Sequence, residues 1–147
     1  MTACDKTKLI KPVVLNGYIA VNNTIGFLRP VAENPDVIVK NIDMLVRGGD
    51  AVVAGLTLIA KYYDQPIVQQ ALASAKSVVA VFKVIQADPT QVTDKVKEVL
   101  VKLEEVRGGF VAINDKLSLG LVFPTPKVMA DNDELLASIN KLEESTK

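Results

Sequence analysis

The side chains able to do chemistry in this chain are few and stand apart. Cys4 is the one cysteine and there is no histidine. The commonest general base, the commonest zinc ligand and the usual activator of a serine or cysteine nucleophile are therefore missing together. Ser74 is the one polar residue on an otherwise apolar helical stripe; it reads as a packing residue bonded to the carbonyl one turn back. Di-metal centres in helical bundles take Glu and Glu-x-x-His ligands from facing helices, and the apolar stripes here hold no acid. Asp43, Glu104, Glu105 and Asp115 flank those stripes as solvated charges, as do Lys40, Lys97 and Lys102. The expectation is a protein with no catalytic residue, no metal and no cofactor.

The elements that carry these residues announce themselves by period. Apolar residues recur at alternating steps of four and three, the spacing of a helix that shows one stripe to its neighbours. A first helix carries Ile10, Val14, Tyr18, Val21, Ile25 and Leu28 and stops before Pro30. A second carries Ile38, Ile42, Leu45, Gly49, Val52, Leu56, Ile59 and Tyr63. A third carries Ile67, Ala71, Ser74, Val78, Val81 and Ile85, and a fourth runs from Val92 through Val96, Val99, Leu103, Val106, Phe110 and Ile113 to Leu117. Asn34-Pro35, Asp64 with Pro66, and Asp88-Pro89 set a capping side chain at or near a proline of a first turn, where the missing N–H costs nothing. Such short connections turn the chain back on itself, which predicts an all-α, antiparallel up-down-up-down four-helix bundle.

After the fourth helix the pattern changes. Leu121, Val122 and Phe123 lie among prolines and a glycine and read either as a strap across the bundle or as a patch for a partner. A short fifth helix is predicted from Asp131 to Glu144, with Leu135 or Leu136, Ile139 and Leu142 as its stripe. Residues 10–147 form one domain of ordinary size, preceded by a flexible tether at residues 1–9.

The phrases RGGD at residues 47–50 and RGGF at residues 107–110 each put two glycines in the middle of a helix. Each glycine costs about 0.8 to 1 kcal/mol relative to alanine there. The stripe keeps its phase across both pairs, so the helices continue and Gly48, Gly49, Gly108 and Gly109 make room for close packing. Arg47 and Arg107, just before them, are candidate anchors for an acidic partner. Asn16, Asn22, Asn23 and Asn41 lie beside the stripes, where an asparagine either fixes register by interhelical hydrogen bonds or faces solvent. Tyr18, Tyr62 and Tyr63 read as core residues with a wet hydroxyl.

The broad apolar face of the third helix, with Val68, Leu72, Val79, Phe82 and Val84 beside its stripe, suggests self-association. Seventeen basic and 17 acidic residues give a formal net charge of zero, so no field draws in nucleic acid. No apolar run approaches the roughly 18 to 20 residues of a bilayer-crossing helix.

The stretch MTACDKTK at residues 1–8 resembles the processing site of bacterial lipoproteins, where two small residues precede the cysteine that receives the lipid. Thr2, Ala3 and Cys4 match that pattern and the polar residues 5–8 match the tether that follows; Met1 stands where leucine is usual. The resemblance implies lipidation at Cys4 and a place on the periplasmic side of the bacterial envelope. The expected function is then a non-catalytic helical protein that binds another envelope component. The alternatives are a soluble homo-oligomeric assembly protein of the cytoplasm or a virion, and a carrier of a small apolar ligand.

Overall fold

The computed structural model describes residues 3–125 and 131–147, and all of its regular structure is helical. The elements are α1 (Ala3–Leu28), α2 (Pro35–Lys40), α3 (Ile42–Tyr62), α4 (Pro66–Ala87), a 3-10 turn (Pro89–Gln91), α5 (Val92–Lys116) and α6 (Asn132–Ser145). α1 packs against α3, α5 and α6, while α4 meets α3 and α5. Facing residues run in opposite order on successive long helices: Asp43 bonds Gln86 and Gly49 meets Val79, then Ala71 meets Gly109 and Ser74 bonds Glu105.

The starts and stops follow local chemistry. Pro35 and Pro66 each occupy a first turn. Asp88 accepts from the Thr90 backbone at 3.3 Å and the Thr90 hydroxyl at 2.6 Å, with Gln91 Nε2 adding a third bond. These donors hold its carboxyl below the usual range. Asn34 makes no side-chain cap, and Asp64 accepts from Gln69 Nε2 at 2.8 Å, Gln65 being the residue at the cap of α4. Asp131 caps α6 by accepting from the Glu134 backbone at 2.7 Å. α5 closes with Ser118 in the left-handed region (φ 51°) and the Leu119 N–H on the Asn114 carbonyl, the bond that seals a Schellman terminus.

Several expectations need correction. The second predicted helix is two, because Asn41 interrupts it: its Nδ2 donates to the Val37 carbonyl at 2.8 Å and its N–H to Ile38. An asparagine that bonds its own backbone competes with the helix. Ile38 and Ile42 are both buried, so the stripe survives the break. α1 begins at Ala3, so the residues read as a tether are helical from there on. Nothing between Ala3 and Lys11 forbids a helix, and Pro12 leaves only the Lys8 carbonyl without its partner, in a turn exposed to water.

The buried face of α4 is wider than its predicted stripe: Ala71, Val78, Val81 and Ile85 are buried as expected. Val68, Leu72, Ala75, Val79 and Phe82 are buried, whereas Ile67 and Ser74 are half-buried. Ser74 points to the rim and donates to Glu105 at 2.8 Å. The face read as spare is thus used within the chain, and only Val84 of that set is exposed.

One core unites the helices. The stripes of α1, α3 and α5 bury most of the residues that the periodicity selected, with Gly49, Tyr63 and Leu117 half-buried, and Leu135, Ile139 and Leu142 bury against them from α6. Sheer repetition of Val, Ile and Leu fills this interior, with Phe82 and Phe110 as the largest of its fully enclosed side chains.

Candidate functional site

The two glycine pairs lie inside unbroken α3 and α5, but they do different things. A methyl group on Gly48 would stand 2.9 Å from Ile139 Cδ1, and one on Gly49 would stand 2.8 Å from Val79 Cγ2. On Gly109 it would stand 2.7 Å from Ala71 Cβ. Those three glycines let α6 and α4 approach closely. Gly108 is exposed with nothing within 4 Å of that position, so its assignment to close packing is corrected: it lies one residue, about 100°, round the helix from the contact. Sequence reading missed Gly17, where a methyl group would stand 2.4 Å from the Phe110 ring, and Gly55, where one would stand 3.1 Å from Val13 Cγ1. A single glycine inside a helical pattern was the available signal.

Both arginines have partners in the chain. Arg47 reaches from α3 to α6, where it pairs with Glu143 and donates to Asn140. Its hydrogen bonds hold the Glu143 carboxyl below the usual carboxylate range, and the same pairing raises the guanidinium. Arg107 donates to Asn22 Oδ1 at 2.8 Å, tying α5 to α1. Asn22 is buried, so a charged donor meets an acceptor that water does not freely serve. Arg29, just past the end of α1, adds a rim pair with Glu104 of α5. Asn41 Oδ1 accepts from Asn132 at 2.9 Å, at the start of α6.

The segment after α5 is divided. Asn114 accepts from the Leu121 N–H at 3.0 Å and donates to its carbonyl at 3.2 Å. The Phe123 ring stacks on Tyr18, with centroids 4.1 Å apart. Leu121 and Phe123 therefore behave as a strap on the core, and Val122 between them is 89% exposed. Thr2 lies outside the described residues, as does the side chain of Cys4; the Cys4 backbone belongs to the first turn of α1.

The interior holds little free space. Between Val21, Gly48, Val78, Phe82 and Val106 there is room of about 10 Å³, the space of one water at most. A small apolar ligand finds no preformed chamber at that point. The larger hollows are open grooves on the surface, such as the one of about 490 Å³ over the contact of α4 with α5. Among the described residues, no three His, Cys, Asp or Glu side chains come together as a metal set. α4 alone of the described helices has the length and mean hydropathy (1.3) of a bilayer-crossing helix, and half of that window is buried inside the molecule. Nine of its residues lie in the core, the profile of a core helix. Comparison with protein-family models, curated proteins and solved structures finds no match to this chain.

Proposed function

We propose that α1, α3, α4 and α5 form an antiparallel up-down-up-down four-helix bundle, braced by α6 and the strap, that serves as a non-catalytic binding module. The observation that supports this reading is the close packing at the centre, where about 10 Å³ is free among the central helices, so recognition is assigned to the outside of the bundle. The matching residues Thr2, Ala3 and Cys4 supply the place, an acyl anchor at Cys4 on the bacterial envelope, with another envelope component as the partner. The geometry of α1 suits that role. Ile10 is its first fully buried residue, so at 1.5 Å per residue a spacer of roughly 9 Å separates Cys4 from the core. Asp5, Lys6, Lys8 and Leu9 on this spacer are exposed.

The test is Cys4→Ser, expressed from the native coding region in its host and followed by membrane fractionation and a thermal melt. The reading expects the variant to leave the membrane fraction with its melting temperature unchanged. Identical distribution of the variant and the parent protein would remove the anchor and leave an unanchored binding module.

A further inference from the structure

A buried polar side chain in an apolar core calls for a partner. Among the described residues four polar ones are buried: Asn22, Asn23, Thr24 and Ser138. Three of them are bonded within the chain. Thr24 donates to the Ala20 carbonyl at 2.7 Å, Ser138 donates to the Leu135 carbonyl at 2.7 Å, and Asn22 Oδ1 accepts from Arg107 at 2.8 Å. Asn23 is 5% exposed and its side chain makes no hydrogen bond among the described residues. No fully enclosed polar side-chain atom among them lacks a partner. The Asn23 amide therefore opens outward rather than into the sealed core.

It opens on a groove of about 320 Å³ between α1 and α6. Ile19 and Ala137 give this groove apolar wall, Asn22 and Ser138 lie beside Asn23, and Lys141 stands at the rim. Lys141 is exposed and forms no ion pair among the described residues. The α6 side runs from Glu134 to Lys141, roughly 10 Å at 1.5 Å per residue, the span of about three residues of extended chain. A carboxamide carries a donor and an acceptor side by side. One residue of an extended strand offers the matching N–H and C=O along a single edge, as in the bonded pairs of an antiparallel ladder. A small anion would use the donor and leave the acceptor unserved in a desolvated place.

We propose that this groove binds an extended peptide segment, with Asn23 meeting the backbone N–H and C=O of one residue, a small apolar side chain against Ile19 and Ala137, and an acidic residue reaching Lys141. The proposal rests on the reading of a binding module and names the chemistry of its partner; the anchor at Cys4 plays no part in it. Fractionation of Cys4→Ser reads the anchor and peptide binding reads the groove, so either can fail alone.

The full chain is used to sort a displayed library of short random peptides, and the enriched sequences are synthesised and titrated against the wild type, Asn23→Leu, Ala137→Arg and Gly108→Ala. Ala137 is exposed on α6, so its arginine obstructs the groove without entering the core and decides the matter if Asn23→Leu does not fold. The expected peptides carry an acidic residue and bind the wild type and Gly108→Ala alike. They lose roughly tenfold or more in affinity with Asn23→Leu, with Ala137→Arg and on methylation of one backbone nitrogen. Acetate, which offers no donor, does not displace them. A library that yields no enriched peptide, binding that persists in Ala137→Arg or in folded Asn23→Leu, indifference to backbone methylation, or displacement by acetate overturns the proposal.

Discussion

Gly108 and Gly109 are neighbours with opposite expected responses to a methyl group. Gly108→Ala adds a side chain to an exposed helix position with open space around it, so it should stabilise the fold by about 0.5 to 1 kcal/mol. Gly109→Ala drives a methyl to 2.7 Å from Ala71 Cβ, and overpacking of that kind costs about 1 to 3 kcal/mol. Urea denaturation of both variants checks the pair; equal shifts would mean that α4 and α5 do not meet at Gly109. The sequence marked both residues alike, because a double glycine says that something approaches without saying from which side. It gave less warning of Gly17, whose reason is the Phe110 ring on another helix. Arg107 shows the same gap: its position beside the stripe was legible, but its bond to buried Asn22 depends on how α1 and α5 are set against each other.

At the scale of elements, α6 adds rim contacts to its buried Leu135, Ile139 and Leu142. The Glu143 carboxyl is held low by Arg47, with a smaller contribution from Lys147. A depressed carboxylate adds stability above its unfolded value, near 4.5, and that increment disappears as the pH falls through the lowered value. Glu143→Gln should therefore melt slightly below the wild type at neutral pH, and the two should converge in acid. Melting curves at a series of pH values test this, and a constant gap would assign the difference to something other than the ion pair. The pair is largely exposed, so the effect is small and fades with salt. Periodicity made the long helices legible, since a stripe of Val, Ile and Leu needs only the 3.6-residue turn. It hid the Asn41 break, because Ile38 and Ile42 keep their phase across a single non-helical residue. It misjudged only part of the α4 stripe: Ala71, Val78, Val81 and Ile85 are buried as expected, but Ala75 rather than Ser74 faces the core.

The whole molecule is a helical body with a closely packed centre, and the proposed function puts recognition on its surface. Phe110 is the plug that closes it, seated against Gly17. Phe110→Ala should lose about 3 to 5 kcal/mol and open an apolar hollow; benzene should then raise the melting temperature of the variant and leave that of the wild type unchanged. A rise in the wild type would reveal a chamber that the packed interior does not contain. The filled body was legible in the four regular stripes, but the exposure of any partner surface was not, because the apolar face of α4 turned inward and the arginines found partners at home. The proposed envelope anchor rests on the amino-terminal stretch, and the most direct measurement is the intact mass of the protein purified from its native host and coding region. The account predicts a chain that starts at Cys4 and carries acyl mass. An unmodified Cys4 behind an intact Met1 or Thr2 would contradict it.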